Sequence, residues 1–224
     1  MMQGSAAQIL GVWEFVPYND PNTIPKNHAQ FDSDVQELRQ ELLSSNSDEC
    51  EEALKQLKNL YRQAFPKSQQ NDLSLFLYGG PLNGWKGCFG HSFIVEYLLS
   101  ALFEGRKIPD LLRRNIAGPC KGSIIYTGDG NLNSLEKWND FSTYLRSQRS
   151  SDPTLLQVAH HGSRYNWFEG LAHEIRPATS VFSSDPSHRT FGHPHADVLR
   201  DFWPYNPVQV DKLASYASRI FFAR

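Results

Sequence analysis

Cysteine is scarce in this chain: Cys50, Cys88 and Cys120 are the only three in 224 residues. Three thiols cannot all pair with one another, and none of their spacings matches a zinc-binding pair. They read as reduced thiols, which implies a cytoplasmic protein. Long apolar runs are missing too, so no segment is expected to span a membrane. The first residues lack a basic stretch followed by an apolar one, so no secretory signal is expected. Neither sign of charge dominates. There are 22 Lys and Arg against 24 Asp and Glu, for a net charge of -2. Bulk attraction to nucleic acid or to an anionic membrane is therefore not indicated, although a local basic patch stays open. No internal repeat is visible. What is present suits a core: 40% of the residues are hydrophobic and 12% aromatic, too many for a disordered chain. The length fits one large domain or two small ones.

The most informative stretch runs from Ser123 to Ser163. Its first part, Ser123-Ile124-Ile125-Tyr126-Thr127-Gly128-Asp129, is a short β-branched run that breaks at glycine and an acid. Its last part, Leu155-Leu156-Gln157-Val158-Ala159-His160-His161-Gly162, breaks at two histidines and glycine. Each reads as a buried strand carrying a polar side chain to a sheet rim. Between them, Leu135, Trp138, Phe141 and Leu145 recur at helical spacing within Leu132 to Leu145. Strand, helix, strand implies two adjacent parallel strands. Asp129 and the His160-His161 pair then leave the sheet at the same edge, as a possible ligand set for zinc, manganese or iron.

Elsewhere the pattern predicts a strand over Ile9 to Val16, ended by Pro17, and a loop over Tyr18 to His28. A helical pair follows within 29–66. One helix starts near Ser33-Asp34 with a Ser33/Gln36 capping box and buries Val35, Leu38 and Leu42. The other starts after Asn46-Ser47, buries Leu54, Leu57, Tyr61, Ala64 and Phe65, and stops at Pro66. Its charged face, with Glu51, Lys55 and Lys58, reads as solvated i,i+4 pairs. Asn71 to Tyr78 is predicted as a strand ended by Gly79-Gly80-Pro81. An insertion spans 82–121, with a helix over Ser92 to Phe103 and a basic turn over Lys107 to Arg114; it is either a lid or a packed decoration. Further on, the pattern predicts a helix over Trp167 to Ile175, a strand over Thr179 to Ser183, a helix over Ala196 to Trp203 and a strand over Arg219 to Ala223.

Thr127-Gly128-Asp129, His160-His161-Gly162-Ser163 and Gly192-His193-Pro194-His195, in this order and around apolar strands, resemble the second half of a metallo-β-lactamase-fold hydrolase. The nearest branch includes the hydrolase domain of the DNA-uptake competence channel. The resemblance implies an α/β fold of the αββα sandwich type, a single domain or half-domain over 1–224. It implies that Asp129 bridges two metal ions and that His161, or its neighbour His160, is a ligand or stands just behind one. His193 is placed near the scissile group, so His160 and His193 are the candidates for catalysis. The cofactor implied is a divalent metal, two zinc ions (or manganese or iron) in the completed site. The chemistry implied is hydrolysis of a phosphodiester or other phosphoryl substrate by metal-activated water.

The H-x-H-x-D-H signature that supplies most metal ligands in that family is absent from the chain. The remaining ligands are therefore expected from an N-terminal half or from a second copy. A sheet apolar on both faces would carry that association through its uncovered face. The alternative is a degenerate, non-catalytic binding or scaffold module of the same fold. Taken singly, Asp129 also suits a turn or N-cap. His160 and His161 also suit a strand end, and His193 also suits a loop. A serine hydrolase built on Ser163 is disfavoured, because Gly162-Ser163-Arg164 lacks the second glycine of a nucleophile elbow.

Overall fold

The computed structural model describes residues 6–43, 46–82, 86–90, 122–185, 192–216 and 219–223. It divides the chain into two units, Asn19–Ser74 and the remainder. The insertion helix over 92–103 and the basic turn over 107–114 lie outside the described residues.

The larger unit is mixed α/β. Strands β1 (Ala7–Ile9), β2 (Trp13–Tyr18), β3 (Phe76–Pro81), β5 (Ile124–Tyr126), β6 (Leu155–Gln157), β7 (Thr179–Ser183) and β8 (Pro207–Val210) form one seven-stranded sheet in that order. The pairings β1–β2, β2–β3 and β3–β5 are antiparallel, and β5 to β8 run parallel. Strands β4 (Lys86–Gly90) and β9 (Arg219–Ala223) make a separate antiparallel ribbon. Two short strands, β4 and β8, carry no apolar run long enough to announce them in the sequence.

One face of the sheet holds the core. Val16, Tyr18, Phe76, Tyr78, Ile125, Leu156, Val158 and Phe182 pack there against α3 (Leu135–Leu145), α5 (Leu171–Ile175) and α6 (Ala196–Phe202). The stripe Trp138, Phe141, Leu145 of α3 is buried, and Ser134 caps the helix by accepting from Lys137 N–H. A one-turn helix, α4 (Ser147–Ser150), follows. Among the described residues no helix is long and apolar enough to cross a membrane.

The opposite face is not bare. Trp13, Leu155 and Val181 are buried there, while Tyr126 stays 42% exposed. The face expected to carry an association is therefore covered at Trp13, Leu155 and Val181 and open at Tyr126 of the central strand β5.

Three strand boundaries differ from expectation, each for a local reason. The strand over Ile9 to Val16 is a hairpin, because Leu10 and Gly11 turn with left-handed φ of 52° and 66°. Pro17 continues β2 instead of ending it. Strand β1 pairs only Trp13 to Phe15, so no ladder bond to β1 is lost at Pro17. The strand expected from Asn71 starts at Phe76 and runs on through Gly79-Gly80. Asn71–Leu73 forms a 3-10 turn closed by Ser74 N–H to Asn71 C=O. Gly79 is tolerated in the strand because Phe15 and Trp13 lie over it, 3.3 Å from where a Cβ would stand.

Glu14 is buried on the core face of β2 and accepts from Arg149 of α4 at 2.7 and 3.0 Å. The buried carboxylate and phenol face each other: burial, then Glu14, pushes Tyr78 up to about 12. Arg149→Met strands the Glu14 charge. It is expected to cost about 3 kcal/mol, read by urea denaturation. Adding Glu14→Gln should return part of that loss, because the unpaired charge is then gone.

The smaller unit is a pair of helices, α1 (His28–Leu42) and α2 (Ser47–Ala64). Phe31, Ala64 and Phe65 are its buried centre, and Phe31 meets Tyr61 and Phe65 edge-on at 5.1 and 5.5 Å. Burial of Phe31 carries α1 back to Asn27, well before the expected start at Ser33-Asp34. Leu38 is buried as expected; Val35 and Leu42 are half-buried. On α2, Asn46 accepts from Asp48 N–H as a cap, and Lys55 pairs with Glu51 at 3.0 Å. Leu54 is 55% exposed and Ala53 takes its place inside. Cys50 of α2 is not in a disulfide, and its thiol lies 3.6 Å from Leu42 C=O.

Candidate functional site

Three parallel strands end side by side, and the polar residues that follow each of them meet. After β5, Thr127 is fully buried and its hydroxyl donates to Gln157 C=O at 2.6 Å, tying the end of β5 to β6. Gly128 then turns with φ 51°, and Gly130 N–H closes the turn on Thr127 C=O. Asp129 stands at the tip with its side chain 55% exposed.

After β6 the backbone enters the left-handed region three times in a row, at His160 (φ 46°), His161 (φ 59°) and Gly162 (φ 82°). Each left-handed histidine costs roughly 1–2 kcal/mol. Such geometry persists only where its surroundings impose it, and it concentrates at functional sites. Two contacts impose it. His160 N–H donates to Gly128 C=O at 2.9 Å, and His195 N–H donates to Gly162 C=O at 3.0 Å. Gly162 has no alternative residue: a Cβ there would lie 2.7 Å from Pro194 and 2.8 Å from the buried Phe182 ring. The 192–195 segment is thereby docked onto the histidine turn.

The ring of His161 is held at both nitrogens. Nδ1 makes a short hydrogen bond to Ser183 C=O, at the end of β7. A carbonyl only accepts, so Nδ1 carries a hydrogen, and in the neutral ring Nε2 then presents its lone pair. That Nε2 lies 3.4 Å from Asp129 Oδ1. Two acceptors facing each other need a cation or a proton between them.

The other histidines close around this pair. The His160 ring centroid is 5.8 Å from both His161 and His193, His193 is 6.3 Å from His161, and His195 is 4.9 Å from His193. Asp129, His160, His161 and His193, the residues singled out in the sequence, thus share one rim. Burial first, then the His195, His160 and His161 imidazoles, hold His193 below the ordinary histidine value. Ser163 is buried, and its hydroxyl accepts from Tyr165 N–H within the turn.

Three contributors were not foreseen: the Ser183 carbonyl, His195 and Arg164. His195 stands in the Gly192–His195 motif quoted from the sequence, but no role was assigned to it there. Its Nδ1 accepts from Arg164 N–H at 3.2 Å, and the Arg164 guanidinium reaches Asp197 at 3.5 Å.

As a metal centre the described residues are incomplete. Asp129 and His161 are two donors aimed at a common point, whereas a catalytic zinc takes three protein ligands. Among the described residues, no group of three or more His, Cys, Asp and Glu side chains is arranged to hold a metal.

The lowered His193 has a testable consequence. The unfolded chain binds this proton more readily than the folded one, so folding resists protonation. His193 is neutral in both states above its ordinary value of 6.5. Below that value stability should fall as pH falls through the depressed folded value. Urea denaturation across that window should show the slope, and His193→Gln should flatten it.

Comparison of the chain with known protein families, with curated proteins and with solved structures found no match.

Proposed function

We propose that this chain is part of a metal-dependent hydrolase of the metallo-β-lactamase fold, with its second half represented here. It would act on a phosphodiester or other phosphoryl substrate. The observation that carries this reading is the Asp129–His161 pair. A carboxylate oxygen and an imidazole Nε2 face one another at 3.4 Å, and the far nitrogen of that imidazole is held by a backbone carbonyl. A carbonyl-held histidine beside a carboxylate is the arrangement that orients a metal ligand. A bound divalent metal would supply an activated water at neutral pH. Asp129 and His161 are its ligands in this reading. His160 and His193 are neighbours of the reacting group. The remaining ligands come from outside the described residues, on an N-terminal half or a second copy of the chain.

The second reading is a non-catalytic module of the same fold. It is favoured by the incompleteness of the donor set among the described residues. Metal content separates the two. The isolated chain should hold zinc or manganese weakly by elemental analysis after dialysis. Joined to a half that carries H-x-H-x-D-H, it should hold metal stoichiometrically, and His161→Asn should remove most of it. Tight zinc in the isolated chain that survives both His161→Asn and Asp129→Asn would overturn the ligand assignment. No metal in any combination would favour the non-catalytic module.

A further inference from the structure

The rim around the Asp129–His161 pair is not uniform. At one end stand acceptors, the Asp129 carboxylate and the His161 Nε2 lone pair. At the other end stand donors. His195 Nδ1 accepts the Arg164 N–H at 3.2 Å, which a protonated Nδ1 cannot do. The hydrogen of this ring therefore sits on Nε2. The contact to His195 is made by the Arg164 backbone; its guanidinium, about half exposed, pairs with Asp197 at 3.5 Å, and that single contact uses few of its five N–H groups. Tyr165, 75% exposed, stands edge-on to His195 at 6.2 Å. The histidine cluster joins the two ends, since His193 lies 4.9 Å from His195 and 6.3 Å from His161.

We infer that His195, through its Nε2–H, and Arg164 form an oxyanion-binding corner, and that it selects substrates carrying a negatively charged oxygen over neutral ones. The inference deepens the proposed function, because the corner serves the same rim. One substrate oxygen would face the acceptor end across its cation, and a second, charged oxygen would face the donors. A neutral amide or triester offers no such second oxygen. His195 is here a specificity residue, not a ligand of the Asp129 side. Charge-assisted hydrogen bonds of this kind are roughly twice as strong as neutral ones.

Imidazole nitrogen NMR on the full chain without added metal tests this separately from the hydrolase reading. The His195 resonance should report the Nε2–H tautomer at pH 7.5. Inorganic phosphate should shift it in a saturable manner, and trimethyl phosphate should not. Arg164→Met and His195→Phe should each weaken phosphate binding about tenfold, the loss of one charge-assisted bond, while Arg164→Lys keeps part of it. An Nδ1–H tautomer, an equal response to trimethyl phosphate, or unchanged phosphate binding in Arg164→Met would each overturn the corner. Because no metal is present, failure of metal binding elsewhere leaves these outcomes readable.

Discussion

Asp129→Asn is expected to lower hydrolysis at least about 100-fold in the completed protein, with metal uptake falling in parallel. Removing a group behind a metal ligand already costs 10- to 100-fold, and Asp129 is read here as a ligand itself. Asparagine keeps the shape of the turn but gives up the charge that two cations would share. Folding should hardly change. The side chain is 55% exposed, and substitutions at such positions usually stay within about 0.5 kcal/mol. The separation is the point of the experiment, since activity and metal should go while the urea midpoint stays. A large loss of stability with metal content intact would mean that Asp129 is a turn residue and nothing more. Assay on a generic phosphodiester and elemental analysis of the same preparation give both readings.

Gly130→Ala is expected to cost about 3 kcal/mol, a fall in Tm of about 6–12 °C for a chain of this size. A Cβ at Gly130 would lie 1.7 Å from the Phe76 ring. That ring has little room to retreat. It is 5% exposed, packs edge-on to Phe141 at 5.0 Å, and touches Tyr18. The turn is held as well, by Gly130 N–H to Thr127 C=O and by Asn166 Nδ2–H to Gly130 C=O at 3.2 Å. The added methyl must therefore displace either the core or the turn that carries Asp129. Phe76→Leu in the same chain should restore part of the loss by vacating the space, although it is destabilising alone. Additive effects of the two substitutions would show that the methyl is accommodated elsewhere.

The two predictions meet in one short segment, Thr127 to Gly130. Its front carries the candidate ligand and its back rests on the core. The same holds for the histidine turn, where Gly162 lies against Phe182. A site assembled this way is positioned by packing, so core substitutions behind it should disturb its chemistry before they unfold the chain.

The strand–helix–strand unit was legible from sequence alone. Ile124 to Tyr126 and Leu155 to Gln157 are apolar, bounded by glycine, and separated by one clear helical stripe. Both strands exist where expected, are parallel and adjacent, and release Asp129 and His161 at one edge. Local periodicity suffices for this, because parallel neighbours joined by a helix have one favoured handedness. The start of α1, the glycines inside β3 and the short strands β4 and β8 were not legible. Each depends on partners distant in sequence: Phe31 on Phe65, Gly79 on Phe15, β8 on β7. The site divides along the same line. The strand ends pointed to Asp129, His160 and His161 as chemistry-bearing residues, and the family resemblance added His193. Only the tertiary structure decided what they can do, because a tautomer is set by contacts and not by spacing. Ser183 C=O makes Nε2 the acceptor of the neutral His161 ring, and the Arg164 backbone N–H makes the His195 Nε2 a donor. Two histidines of identical chemistry thus take opposite roles.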